Sequence, residues 1–143
     1  METQLKKLYF RLLAPALLGF PAAYLLKTFM PAGTGAIRSF RLAAPGLFVL
    51  AFTFGAALPL LFRTLFVNRN RTQKRIPEND LLKFERNTLY ITLVTPYIAL
   101  AAYFLEIPRF HFAGTVLAGL YGVYYFYPSR KRIRYEKRIF RVK

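Results

Sequence analysis

The sequence predicts an all-α integral membrane protein of four helices, arranged as two helical hairpins with both chain ends on the cytoplasmic side. Three observations carry this. Uncharged stretches of membrane length recur four times, they lack the polar face of a soluble helix, and Lys and Arg gather in three of the five segments that flank them. Residues 12–26, 42–62, 87–105 and 110–129 contain no Asp, Glu, Lys or Arg, giving runs of 15, 21, 19 and 20 residues. A helix needs about 20 residues to cross a hydrocarbon core roughly 30 Å thick. Helices of soluble proteins carry a polar face, whereas LAAPGLFVLAFTFGAALPLLF at 42–62 has no charged face at all. The chain therefore reads as one domain, 1–143, with spans near 8–26, 42–62, 87–105 and 110–128.

The first span is the shortest run and must recruit Leu8, Tyr9 and Phe10, with Arg11 and Lys27 reaching toward the headgroups. METQLKKLYF resembles the charged start of a signal peptide. Arg11, Pro15 and Pro21 interrupt the apolar stretch, however, so the segment is expected to be retained.

Orientation follows from charge. The N-terminal flank, the basic loop 63–86 and the basic tail 129–143 hold 18 Lys and Arg, against four (Lys27, Arg38, Arg41 and Arg109) in the two opposite loops. Basic residues stay on the cytoplasmic side, so this pattern places both termini and the central loop there, in an inner membrane of bacterial type. The tail residues Arg130, Lys131, Arg132, Arg134, Lys137 and Arg138 then face anionic headgroups, each worth about 1 kcal/mol near the surface. Tyr135 and Phe140 lie among them as base-stacking residues would, but Ile133, Tyr135, Ile139, Phe140 and Val142 make no single helical face. Nucleic acid is the disfavoured partner.

In the central loop, NRNRTQKR reads as an exposed turn, and Pro77 with Asn79 or Asp80 as a helix start leading into span three. Glu78, Asp80 and Glu85 are read as capping that helix and pairing with Lys83, Arg86 or the tail.

Within the spans no ionisable residue lies near the middle, where one would mark a transport path. Gly114, Ala118 and Gly122 recur at four-residue spacing in span four, and Ala51 and Gly55 in span two. Such ridges let helices approach closely; the sequence leaves open whether the neighbour is this chain, a second copy or another subunit. Pro15, Pro21, Pro45, Pro59 and Pro96 are expected to kink or shape the spans. Near the noncytoplasmic surface, LEIPRFHF brings together Glu106, Arg109 and the single histidine, His111. The reading here is a hydrated hairpin turn; the functional alternative is a proton-responsive or headgroup-binding site.

The chain has no cysteine and one histidine, which excludes disulfides, thiolate metal sites and bis-His haem ligation within it. No phosphate-binding loop, zinc set or Ser/His/Asp arrangement occurs. Neither an enzyme activity, a metal nor a cofactor is expected. RFHFAGTVLAGLYGVYY, at the start of span four, resembles the small four-span proteins associated with ATP synthase assembly, which are laid out as two hairpins joined by a basic loop. The likeness rests on Phe110, His111, Ala113, Thr115 and Val116, covers under an eighth of the chain and transfers no function or residue role. The packing ridges in the spans and the basic cytoplasmic platform suggest an accessory or assembly subunit of a larger membrane complex, whose partners are membrane lipids and either other membrane-protein subunits or a second copy. The alternative is a small homo-oligomeric transporter or channel.

Overall fold

The computed structural model describes residues 1–29, 42–73 and 75–142; Arg38, Arg41, Lys74 and Lys143 of the charge count lie outside the described residues. Every regular element among the described residues is helical. In chain order these are α1 (Glu2–Phe29), α2 (Ala44–Phe52), a π turn (Thr53–Ala57), α3 (Leu58–Arg69), α4 (Glu78–Thr92), α5 (Thr95–Phe104), α6 (Arg109–Tyr125) and α7 (Arg130–Ile139). Three rods are long and apolar enough to cross a membrane: α1, Ala44–Arg69 and Glu78–Phe104. The fourth apolar rod, α6, has 17 residues.

The helices overrun the uncharged stretches at the polar ends. Helix α1 begins at Glu2 rather than near residue 8, and α3 continues to Arg69, several residues into the segment read as loop. Hydropathy marks where charge stops, while the backbone ladder continues until a breaker interrupts it. Pro77 supplies the start of α4, with Glu78 and Asp80 in the first turn, where acids complement the helix dipole.

Proline shapes the interior in two different ways. Pro96 has no N–H to offer the Thr92 carbonyl, and its ring would crowd that carbonyl. The helix accordingly breaks at Leu93 and Val94 and restarts at Thr95. Pro59 stands in the same relation to Gly55, but here the rod continues by widening into the π turn, where the Leu58 N–H donates to the Thr53 carbonyl. Pro15 and Pro21 sit inside an uninterrupted α1.

The rod Glu78–Phe104 lies in the middle of the bundle. Of its most apolar 18-residue window 44% is buried, against 17% in each of the other two long rods. Its α5 part packs on α1, α2 and α6. The outer rods turn Leu17, Leu18, Leu25, Leu50, Leu61 and Leu117 outward, an apolar exterior suited to lipid contact.

The rods are antiparallel, so the bundle has two distinct ends. One end collects the start of α1, the end of α3, the start of α4 and α7, joined by the ion pairs Glu2–Arg130, Arg63–Glu136 and Glu78–Lys137. The other collects the end of α1 with the α5–α6 turn through Lys27–Glu106, and the start of α2 through the buried cluster Ala44, Ala102 and Ile107.

Candidate functional site

The segment expected to be a basic tail is a folded helix docked on the bundle. Pro128 cannot prolong α6. Ser129 then caps α7, its hydroxyl accepting the Arg132 N–H at 3.2 Å, and Lys137 and Arg138 close the helix at the end that favours cations. Ile133, Glu136 and Phe140, spaced three and four apart, form its buried face. The sequence pattern shows no single apolar face because one inward position is a carboxylate.

Ile133 joins Leu5, Tyr9, Leu13, Leu89, Leu93 and Phe126 in the core at this end. Phe140 packs on Ile76 and Leu81 and meets Phe66 edge-to-face at 5.2 Å, while Phe66 stacks on Phe84 at 4.3 Å. Burying side chains of this size contributes about 1.5–3 kcal/mol each. Docking is therefore driven mainly by apolar contact.

The polar half of the joint is a buried quartet from α3, α4 and α7. Arg132 donates to Glu85 at 2.9 Å, and Arg63 lies 3.1 Å from Glu136; the two carboxylate side chains are only 4% and 5% exposed. Arg132 also stands 5.0 Å over the Phe126 ring. Two cations against two anions leave the quartet formally neutral, as burial requires. Glu85 Oε1 and Arg132 Nη1 are nonetheless buried without a hydrogen-bond partner among the described residues. Glu85 precedes the apolar 87–105 part of its rod. Desolvation pushes its carboxyl above the ordinary range, Arg132 pulls it back, and Glu136 adds to the rise. The expected pairing of the loop acids with the tail is thus realised for Glu85, and for Glu78, which Lys137 contacts at 2.7 Å and holds below the usual carboxylate range.

The six tail cations divide. Arg132 and Lys137 are drawn into the joint, and Arg130 reaches back 3.2 Å to Glu2. Lys131, Arg134 and Arg138 point away from the bundle, together with exposed Tyr135 and Ile139. The result is a basic face held at a fixed orientation.

At the opposite end, Glu106, Arg109 and His111 do not converge on one another. Lys27 lies 3.0 Å from Glu106, donates to the Tyr103 carbonyl at 2.7 Å and sits 4.6 Å over the Tyr103 ring. His111 meets the rings of Phe48 and Phe110, and its Nδ1 is buried without a partner among the described residues. Arg109 is exposed at the start of α6. Glu106 closes α5 with φ 51°, while the Ile107 N–H donates to Ala102 and the Glu106 N–H to Tyr103, an end that glycine normally serves. Relaxing that φ is worth about 1 kcal/mol, more than a half-exposed ion pair supplies. Glu106→Gly is thus expected to stabilise the protein by about 0.5–1 kcal/mol in a thermal melt. A lower melting temperature would instead show that the Lys27 contact dominates.

The small-residue ridge packs within the chain. Ala51, Gly55 and Gly122 are buried. A Cβ on Gly55 would lie 3.1 Å from the Ala118 carbonyl oxygen, and one on Gly122 would lie 2.8 Å from Thr92 Cγ2 and 3.9 Å from Gly55 Cα. Gly114 faces the Phe48 ring, which a Cβ would meet at 2.3 Å. The π turn, the α4–α5 break and α6 consequently meet in one layer. The close approach covers the backbone beside Pro59 and Pro96, where the regular helical ladder is interrupted, as the hydrocarbon demands. Thr53, Thr88 and Thr115 donate back to carbonyls of their own helices. Thr92 and Thr95, fully buried in this layer, have hydroxyls without partners among the described residues.

Sequence reasoning missed Arg63 and Glu136. The available signal was a single Glu in the basic tail, three residues after Ile133 and four before Phe140. Comparison with known proteins adds nothing to this geometry: no protein-family model, curated protein or solved structure matches the chain.

Proposed function

We propose that the chain is a four-span protein of a bacterial-type cytoplasmic membrane, with both termini and the 63–86 loop inside, acting as an accessory or assembly subunit of a larger membrane complex. The observation that carries the proposal is the docked α7, whose outward cations Lys131, Arg134 and Arg138 are fixed relative to the spans. A loose basic tail would suffice to orient the chain. Seating that segment through a buried charge quartet makes sense when a partner must meet it in a defined geometry. At 17 residues α6 lies at the lower limit for a span, and the described basic residues of the N-terminal flank, the 63–86 loop and the tail fall at one end of the bundle, in line with the orientation proposed. No enzymatic role is part of this reading.

The second reading, a homo-oligomeric transporter or channel, draws on the helix break and π turn that share a layer with the unpartnered Thr92 and Thr95 hydroxyls, since interrupted helices mark substrate sites in transporters. Purification in native-lipid nanodiscs followed by mass spectrometry separates the two. Stoichiometric foreign subunits that are lost in Lys131→Glu/Arg134→Glu/Arg138→Glu are the expected result. A homo-oligomer with no foreign subunit, together with flux in reconstituted vesicles, would replace the accessory reading by the transporter.

A further inference from the structure

Five cations at the basic end of the bundle have a carboxylate partner: Lys6 and Arg130 share Glu2, Arg63 has Glu136, Arg132 has Glu85 and Lys137 has Glu78. Arg69 and Lys83 enter no ion pair among the described residues, and both line one cleft of about 490 Å³ between α3 and α4. That is the size of a small-ligand site. Its walls are graded. Phe62, Leu65 and Arg69 follow one another at three- and four-residue spacing, on one face of α3. Phe62 therefore lies about 10 Å along the axis from Arg69. Lys83 enters from α4 on the other side, and Phe66 forms part of the wall between them. Leu65 and Phe62 are also substantially exposed, so the apolar part of the cleft opens sideways onto the outer surface of the bundle. Asp80, the one acid in the lining, leaves two cations against one anion.

We infer that this cleft binds one anionic phospholipid, its phosphodiester held between Arg69 and Lys83 and the first part of an acyl chain lying along Phe62 and Leu65. The chemistry of the lining matches in sequence. A phosphate needs cations at the water-facing end, a chain needs an apolar wall below, and the sideways opening lets both enter from a bilayer. The net single positive charge suits a phosphodiester monoanion. The proposal rests on the membrane reading above, with the basic end at the anionic leaflet. It goes beyond that reading by assigning a discrete site rather than a diffuse attraction.

Native mass spectrometry of the full chain, exchanged into detergent containing either phosphatidylglycerol or phosphatidylcholine, tests it. The expected result is one retained phosphatidylglycerol and no retained phosphatidylcholine. Retention should fall about 30-fold in Arg69→Gln/Lys83→Gln, the product of roughly fivefold per basic side chain near an anionic group. It should persist in Arg134→Gln/Arg138→Gln, which removes equal charge from the outward face of α7. Leu65→Trp keeps both cations and fills the apolar wall, and it too should lose the lipid while eluting as the parent does. Equal retention of the two lipids, or equal loss in the α7 control, overturns the site. Displacement by millimolar inorganic phosphate would overturn the lipid in favour of a soluble phosphate compound. A chain that resists carbonate extraction from membranes but shows no lipid preference sinks the cleft alone, whereas a chain that carbonate extracts sinks the membrane reading beneath it.

Discussion

Gly55→Val and Gly122→Val are each expected to prevent recovery of the folded protein or to lower its melting temperature sharply, while Gly114→Ala leaves it close to the parent. The contrast does not follow distance alone. The added Cβ at Gly114 approaches most closely, 2.3 Å from Phe48, but that ring is only partly buried and borders an open apolar groove of about 530 Å³ into which it can turn. At Gly55 the obstacle is a backbone carbonyl, that of Ala118 at 3.1 Å. At Gly122 it is Thr92, a β-branched side chain with none of its surface exposed. Overpacking of a tight contact costs about 1–3 kcal/mol even where neighbours can shift. Here a shift would also separate the rods that shield the π turn and the α4–α5 break, exposing backbone groups to hydrocarbon at several kcal/mol each, by order of magnitude. Size-exclusion chromatography and thermal melts of the three variants decide the matter. A Gly55→Val protein with parental melting would remove the ridge from the structural core and return it to the surface as a docking stripe. For the same reason, replacing Gly114, Ala118 and Gly122 together by Leu is a poor test of partner binding, since the bundle itself should fail first.

The sequence made legible what depends on local chemistry. Charge cannot enter hydrocarbon, so the apolar runs mark the cores of three rods long enough to cross a membrane, together with the shorter α6. Proline cannot donate, so irregularity near Pro59 and Pro96 was foreseeable, although a widened turn at one and a break at the other depends on what packs alongside. The small residues announced close packing but not its address. What remained hidden depended on distant partners: Glu106 finds Lys27, 79 positions away, rather than His111 five positions on. Glu136 went unread because its apolar companions Ile133 and Phe140 form a face only when a carboxylate is admitted to it. That carboxylate is admitted because Arg63 comes from 73 positions earlier.

Removing the guanidinium of Arg132 alone, as in Arg132→Met, is expected to release α7 from an otherwise intact bundle. Glu85 would be left 3% exposed with neither oxygen paired to a cation. Breaking one partner of such a pair costs about 3–5 kcal/mol, whereas replacing both by apolar groups of similar volume is often neutral. Glu85→Leu/Arg132→Met should therefore hold α7 better than Arg132→Met does, a reversal that simple loss of contacts cannot produce. Hydrogen exchange over residues 133–139 reads the effect locally. A loss of about 3 kcal/mol confined to docking speeds exchange there by about 150-fold, with α1 and α5 unchanged. The Arg63–Glu136 pair should matter less, because the Arg63 side chain is 34% exposed and its removal leaves water within reach. Parental exchange in Arg132→Met would mean that Ile133 and Phe140 alone seat the helix and that the quartet has no part in docking. If α7 is released, the consequence for function is specific: Lys131, Arg134 and Arg138 keep their charge but lose their fixed orientation. A partner that reads geometry should then be lost as completely as in the triple Glu variant, whereas an anionic surface that reads only charge should still bind.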